Sequence, residues 1–191
     1  MDEFIREYRR IKMHHWEAEL CFFARINLPG SIMRVFNRGT KQKLFDVLIK
    51  IDIKKLRAIR SQELFKAYFE SNLNKFARVI SKTNSGNSSV YPGYKWGHGT
   101  KILCLFLRDT VLHSRHFSKS EADRLSNYLY APIDGVVMKK LRKLGYKAPF
   151  KAIKEIDSKK KFYDVHDTLD QASSQVGVPR IWFDDNWAER S

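Results

Sequence analysis

Apolar residues recur at helical intervals along most of this 191-residue chain, and this periodicity restricts the fold more than any other feature of the sequence. The alternation of apolar and polar residues that marks a half-buried strand is scarce. The sequence therefore predicts an all-α protein. The helical pattern is present over residues 2–24, 31–37, 41–50, 62–80 and 102–112.

The size and apolar content of the chain predict one domain with a sizeable core. Of its residues, 43% are hydrophobic and 13% are aromatic. No apolar run approaches the roughly 18 to 20 residues that a membrane-spanning helix needs. The first residues, Met1-Asp2-Glu3, lack the basic and then apolar layout of a signal peptide. We therefore expect no membrane association and a cytoplasmic location.

The formal net charge is +15, which predicts an anionic partner. Nucleic acid is the first expectation, and an anionic membrane or an acidic protein is the second. Residues 139–161 contain ten Lys or Arg residues and two acidic residues. The lysine run at 159–161 equally fits an ordinary solvated helix face.

The cysteines and histidines give no sign of a metal or a redox site. Cys21 and Cys104 lie in apolar surroundings, where a cysteine usually acts as a small core residue. Two cysteines cannot supply a four-cysteine iron–sulfur ligand set, and the histidines lack zinc-ligand spacing. We expect no metal and no cofactor.

One acidic residue stands between an apolar segment and a helical segment. The residues Pro132-Ile133-Asp134-Gly135-Val136-Val137 place the carboxylate of Asp134 where it can accept the first N–H groups of a helix. Gly145 suits the position just after the last turn of that helix. Asp134 is therefore predicted to be an N-cap, whatever further role it has.

Two other segments accompany Asp134 in the chain. The residues Trp96-Gly97-His98-Gly99-Thr100-Lys101 precede the apolar helix at 102–112, and Lys101 lies 33 residues before Asp134. Near the end, residues 177–184 read Gly-Val-Pro-Arg-Ile-Trp-Phe-Asp. In this order, the three segments resemble the helix-hairpin-helix DNA glycosylase superfamily, closest to its archaeal 8-oxoguanine branch. The resemblance covers the chain from Trp96 onward.

The resemblance implies a two-lobed helical fold of the helix-hairpin-helix DNA glycosylase type within a single domain. The central lobe with the hairpin would comprise about residues 31–144. The second lobe would comprise residues 1–30 and 145–191. The implied partner is double-stranded DNA that carries a damaged base, and we expect the protein to act as a monomer.

The resemblance also implies two catalytic residues. Lys101 would attack C1′ of the damaged nucleotide and form a Schiff base, which permits strand cleavage by elimination. Asp134 would stabilise positive charge on the sugar and accept a proton. The expected activity is a DNA glycosylase with AP lyase activity on an oxidised purine, 8-oxoguanine. A surface lysine at a helix start and a simple helix cap are the plain alternatives for these two residues.

Further site residues follow from the same resemblance. The base pocket would contain a carboxylate, two rings and a polar group that faces the gap left by the extruded base: Asp184, Trp182, Trp187 and Asn27. The tryptophans could equally be core residues. Contacts to the DNA backbone would come from backbone N–H groups and from a basic helix: Gly97, His98, Gly99, Lys139, Lys140, Arg142 and Lys143.

Two other functions remain open from the sequence. The protein could be a monofunctional glycosylase in which Asp134 activates water. It could also be a non-catalytic helix-hairpin-helix module, with Asp134 as a cap and Lys101 as a phosphate contact. The polar segment at 81–89 is predicted to be a solvated loop, and residues 90–100 add aromatic rings that could stack on bases.

Overall fold

A computed structural model describes residues 15–84, 96–147 and 150–184, with the backbone alone at 81–84. The described chain is all-α, as the apolar periodicity predicted. Two short 3₁₀ helices, Ile153–Glu155 and Arg180–Asp184, complete the helical elements. The α-helices are α1 at 15–26, α2 Gly30–Met33, α3 Thr40–Leu48, α4 Ile53–Arg57, α5 Gln62–Asn84, α6 Trp96–His113, α7 Lys119–Ser126, α8 Gly135–Lys143 and α9 Lys159–Val176.

Helix α6 is the centre of the molecule. Residues 102–107 are all buried, so this stretch is covered on every side. Helices α5, α7 and α9 and the 3₁₀ helix Ile153–Glu155 pack against it, and α3 packs on α5. A residue on α6 can therefore meet side chains from several other elements.

The buried residues form one hydrophobic core that draws on both predicted lobes. Leu28 comes from the first 30 residues, Phe106 from the central stretch, and Phe162 and Ile181 from the last part of the chain. The division into lobes at about residues 31 and 144 stays a prediction, because this shared core does not itself mark a boundary. In the described residues, no helix is long and apolar enough to cross a membrane. Cys104 is buried in the core.

The ends of α5 and α6 differ from the sequence-based expectation. Residues 81–84 continue α5, so the predicted loop at 81–89 is wrong at its start, while residues 85–89 lie outside the described part. Helix α6 begins at Trp96, six residues before the predicted apolar stretch.

Tertiary packing explains why a glycine stands in the first turn of α6. A Cβ atom on Gly97 would lie 2.1 Å from the backbone oxygen of Ile153, so only glycine allows this close approach. The N–H of Gly97 donates to the carbonyl of Ile156 at 2.8 Å. The glycine therefore serves a helix contact, and its low helix propensity is overridden.

Helix α8 has the ends that the sequence predicted. Asp134 is its N-cap and accepts hydrogen bonds from the N–H groups of Val136 and Val137. Gly145 has a φ of 84°, and its N–H donates to the carbonyl of Arg142, as expected for the residue after a helix. Both predicted caps of this helix are confirmed.

Candidate active site

The side chains of Lys101 and Asp134 meet at the contact between α6 and the start of α8. The Nζ atom of Lys101 lies 2.9 Å from Oδ2 of Asp134, and each side chain is 13% exposed. The structure thus brings together the two predicted catalytic residues, which are 33 positions apart in the chain. Both groups are largely removed from water but still reachable.

Asp134 is fixed from both sides. The preceding residues, 130–133, are buried and hold the chain in place below the helix. One carboxylate oxygen, Oδ1, accepts the N–H groups of Val136 at 2.9 Å and Val137 at 3.1 Å. The other, Oδ2, accepts from Lys101. The cap is therefore compatible with a catalytic role, because the two oxygens take separate partners.

Lys101 lies in the second turn of α6, next to the fully buried Ile102 and Leu103. Within the described chain, its amine has one hydrogen-bond acceptor, Asp134. An ammonium group has three N–H donors. The nitrogen is therefore held in position by one carboxylate and is not enclosed by acceptors, and a proton can pass between the two groups at this distance.

A second polar cluster lies further along α6. The side-chain amide of Asn27 donates to Oδ2 of Asp109 at 2.8 Å. Oδ1 of Asp109 accepts from Nε of Arg108 at 2.9 Å, and Nη1 of Arg108 donates to the carboxylate of Asp184. Two residues predicted separately for the base pocket, Asn27 and Asp184, thus belong to one hydrogen-bonded chain.

The two polar clusters share one face of α6. Lys101, Cys104 and Arg108 follow each other at helical spacing, so Lys101 and Arg108 are two turns, or about 10 Å, apart along the helix axis. Burial raises the pKa of the Cys104 thiol, so this cysteine stays protonated and is a poor nucleophile.

Arg108 and Asp109 were not among the residues predicted from the sequence. They are the charged pair inside the otherwise apolar stretch 102–112, and both are largely buried here. Charged residues are almost never buried unless they are paired. That interruption of a buried helix was the signal that could have identified them.

Trp182, the predicted tryptophan that the structure describes, does not join this cluster. Trp182 is 54% exposed and faces a groove of about 210 Å³ whose lining includes Lys140 and Leu144. Asp184, two residues later, is buried against Arg108. The ring and the carboxylate therefore contact different parts of the molecule. Trp187 lies outside the described residues.

One of the predicted phosphate contacts at the start of α6 has another role. Gly97, His98 and Gly99 form the first turn of the helix, and both glycines are buried. The N–H of Gly97 donates to the carbonyl of Ile156, so it does not bind a phosphate. The ring of His98 packs edge-on against Phe36, with ring centres 6.2 Å apart. Gly97 is therefore a packing residue, while phosphate contacts from the N–H groups of His98 and Gly99 stay a prediction.

The basic segment 139–161 divides into two parts. On α8, Lys139, Arg142 and Lys143 are exposed and Lys140 is half-buried. Arg142 donates to the backbone of Phe150 at 2.9 Å. The lysine run at the start of α9 is neutralised by acidic partners: Lys159 with Glu70 at 2.8 Å, Lys160 with Asp164 at 2.8 Å and Lys161 with Asp157 at 2.5 Å. Lys147, Lys151 and Lys154, between the two helices, are exposed as well, so the positive surface of this segment extends from α8 to Lys154.

Known proteins add no information on this site. No protein-family model, no curated protein and no solved structure matches this chain. In the described residues, no group of three or more His, Cys, Asp or Glu side chains could hold a metal ion. The chemistry of the site is therefore argued from the side chains themselves.

Proposed function

We propose that the protein is a DNA glycosylase with AP lyase activity that excises an oxidised purine, 8-oxoguanine, from double-stranded DNA. The observation that carries this proposal is the 2.9 Å contact between Nζ of Lys101 and Oδ2 of the capping residue Asp134. A lysine amine beside a fixed carboxylate is the pair that Schiff-base excision of a base requires.

Asp134 would act first as a base and then as a fixed charge. Lys101 transfers a proton to Asp134, and its neutral amine attacks C1′ of the extruded nucleotide while the bond from C1′ to the base nitrogen breaks. Asp134 passes the proton to the departing base and is a carboxylate again. The ammonium formed at C1′ gives one proton to the ring oxygen, whose bond to C1′ breaks, and the Schiff base results. Its positive charge is stabilised by the carboxylate of Asp134, and removal of a proton from C2′ then expels the 3′ phosphate.

The lesion would be read by the cluster two turns along α6. The hydrogen-bonded chain from Asn27 through Asp109 and Arg108 to Asp184 supplies amide, carboxylate and guanidinium groups beside one another. Such groups can pair with the edge of an extruded base. Trp182, exposed near Lys140, would then contact DNA outside the base pocket, at the basic end of α8.

The finer fold assignment belongs to the same proposal. A two-lobed helix-hairpin-helix glycosylase fold accounts for an aspartate that caps a helix directly after a buried segment, and for a lysine near the start of the central helix. It also accounts for the exposed cations of α8, Lys139, Arg142 and Lys143, which would bind the DNA backbone next to Asp134.

Borohydride trapping on a duplex with one 8-oxoguanine tests the proposal when base release is measured beside it. The parent protein should form a covalent adduct and release the base. Lys101→Gln should form no adduct and still bind DNA, because one charge among 36 basic residues contributes little to binding. Lys119→Gln, which removes an exposed lysine at the start of α7, is the matched control and should trap like the parent.

The other outcomes separate the rival functions. Base release without any adduct would indicate a monofunctional glycosylase in which Asp134 activates water. DNA binding without base release would indicate a non-catalytic module, in which the ion pair only joins α6 to α8. An adduct of parental yield with Lys101→Gln would place the nucleophile elsewhere.

A further inference from the structure

A basic groove lies between α3 and α5, outside the residues of the candidate active site. Its volume is about 490 Å³. Its floor is apolar and consists of the half-buried Val47 and Val79. Its charged lining has four cations and one acid: Lys43, Lys50, Lys75, Arg78 and Asp46.

Three of the four cations of this groove have no ion pair in the described part of the chain. Lys43, Lys50 and Arg78 are exposed, and none of them has an ion pair with a described acidic residue. Lys75 donates to the side-chain oxygen of Asn72 at 3.0 Å. The carboxylate of Asp46 accepts from Gln42 on its own helix at 2.9 Å. The groove therefore keeps most of its positive charge toward the solvent.

The opposite flank of α3 is basic as well. A second groove, with a volume of about 610 Å³, is lined there by Arg25 and Lys41 together with the ring of Phe45. The guanidinium carbon of Arg25 lies 5.8 Å from the centre of that ring. Helix α3 is therefore a ridge between two positively charged grooves.

We propose that the groove between α3 and α5 binds the phosphate backbone of a nucleic acid strand, as a second contact surface apart from the Lys101 site. Lys43 lies in the first turn of α3, and Lys50 lies two residues after the last residue of that helix, Leu48. Cations therefore stand near both ends of one wall of the groove. Lys75 and Arg78 line the other wall, so phosphates meet cations from both sides.

A strand fits this groove better than a membrane surface does. Membrane-surface helices combine basic residues with large apolar side chains that enter the lipid. The apolar residues here are two half-buried valines, which cannot insert. They can instead lie against the sugars of a strand that follows the groove.

The test compares two sets of three charge removals. In the groove variant, Lys43, Lys50 and Arg78 are each changed to Gln. In the control variant, the ion-paired run Lys159, Lys160 and Lys161 is changed to Gln, so both proteins lose three charges. Affinity for an undamaged 30-base-pair duplex is measured by fluorescence anisotropy over a range of KCl concentrations. A third protein with Lys43→Arg, Lys50→Arg and Arg78→Lys keeps the charge of the groove.

The proposal predicts a selective change in salt dependence. In the groove variant, the negative slope of log K against log salt should become shallower by about 2 to 3, since each phosphate contact contributes about 0.9 to its magnitude. The control variant should change it by less than about 1, because its lysines are already neutralised, and the third protein should match the parent.

Equal slopes in the groove and control variants would overturn the proposal. It would also be overturned if the groove variant lost binding to phosphatidylserine vesicles and kept its affinity for the duplex. The duplex in this experiment contains no damaged base, and the experiment measures binding and not base release or strand cleavage. An inactive Lys101 site would therefore leave this result unaffected, and the two proposals fail separately.

Discussion

Lys101 with Asp134 and Arg180 with Asp170 are two buried or partly buried ion pairs that the protein uses differently. Arg180 is enclosed: its Nε donates to the carbonyl of Leu129 at 2.9 Å and its Nη2 to that of Tyr128 at 2.8 Å. Its Nη1 donates to both carboxylate oxygens of Asp170. Lys101 has a single acceptor in the described chain.

The two cations differ in how many of their N–H donors are occupied by acceptors in the described chain. The guanidinium of Arg180 also lies 4.4 Å from the ring centre of Tyr130, so each of its nitrogens and one of its faces is occupied by the protein. It joins the last 3₁₀ helix to the segment before Asp134. The amine of Lys101 is positioned and left open, which is the condition for a nucleophile. Substitutions in the two pairs should therefore affect different properties.

The substitution Asp134→Asn should have the largest effect, and the effect should be on the rate of base excision. Asparagine caps a helix about as well as aspartate, so the fold should persist. Excision should fall by about 100-fold to 1,000-fold, because the fixed charge beside the sugar is lost. Single-turnover base release measures the loss, and a thermal melt followed by circular dichroism checks the fold. An unchanged rate in a folded variant would reduce Asp134 to a helix cap.

Arg180→Met should chiefly lower stability. The carbonyls of Tyr128 and Leu129 would lose their donor, and we expect the free energy of unfolding to fall by about 3 kcal/mol. Urea denaturation measures this change. Arg115→Met is the matched control, because the Arg115 side chain is 87% exposed and its partner Glu19 lies 3.6 Å away. A loss as small as that of the control, within about 0.5 kcal/mol, would contradict the structural role of Arg180.

The helix cap in the candidate site could be predicted from the sequence, because it depends only on neighbouring residues. Both caps of α8, Asp134 and Gly145, were found from the sequence because a cap depends on one side chain and a few neighbouring N–H groups. The all-α class was predictable for the same reason, since a helical repeat is local. Lys101 and Asp134 were named from a resemblance, and their 2.9 Å contact needed the fold.

The other parts of the site could not be predicted from the sequence, because they depend on packing between residues that are far apart in the chain. The glycine at 97 was interpreted as part of an anion site, and its actual role depends on the carbonyl of Ile153, 56 positions away in the chain. The lysines at 159–161 counted as free charge, but Glu70 of α5 pairs with the first of them. Only the pairs with Asp157 and Asp164, four residues away, could have been foreseen from helical spacing.

Asp184→Ala tests whether the second cluster on α6 reads the base. Excision of 8-oxoguanine should fall about tenfold or more, because Arg108 loses one of its two carboxylate partners and with it its position in the pocket. Cleavage at a preformed abasic site should stay near the parental rate, since no base has to be recognised there. Asp157→Ala removes an exposed carboxylate and serves as the control. Equal losses on both substrates would assign Asp184 to the scaffold.

The smallest effect concerns His166, a neighbour of Arg180 in the enclosed region. Neither ring nitrogen has a hydrogen-bond partner in the described chain, and the ring packs between Tyr130 and Phe162. Burial, and then the charge of Arg180, lower the pKa of His166 well below its usual value. The folded protein therefore holds this histidine neutral.

The expected pH dependence follows from that direction. Below about pH 6.5 the unfolded chain binds a proton at His166 that the folded chain excludes. The free energy of unfolding is therefore highest above this pH and falls by about 1.4 kcal/mol for each pH unit below it. Urea denaturation at pH 7.5, 6.5 and 5.5 should show this loss in the parent and a smaller one in His166→Leu. Identical pH profiles would mean that folding does not lower the pKa of His166.

The most direct test of the account is the position of the covalent bond. The adduct formed with borohydride on an 8-oxoguanine duplex is digested with a nuclease and a protease, and the modified peptide is sequenced by mass spectrometry. We expect the reduced sugar fragment on Nζ of Lys101. A fragment on any other amine, such as a lysine of α8 or the N-terminus, would contradict the assignment of Lys101 as the nucleophile.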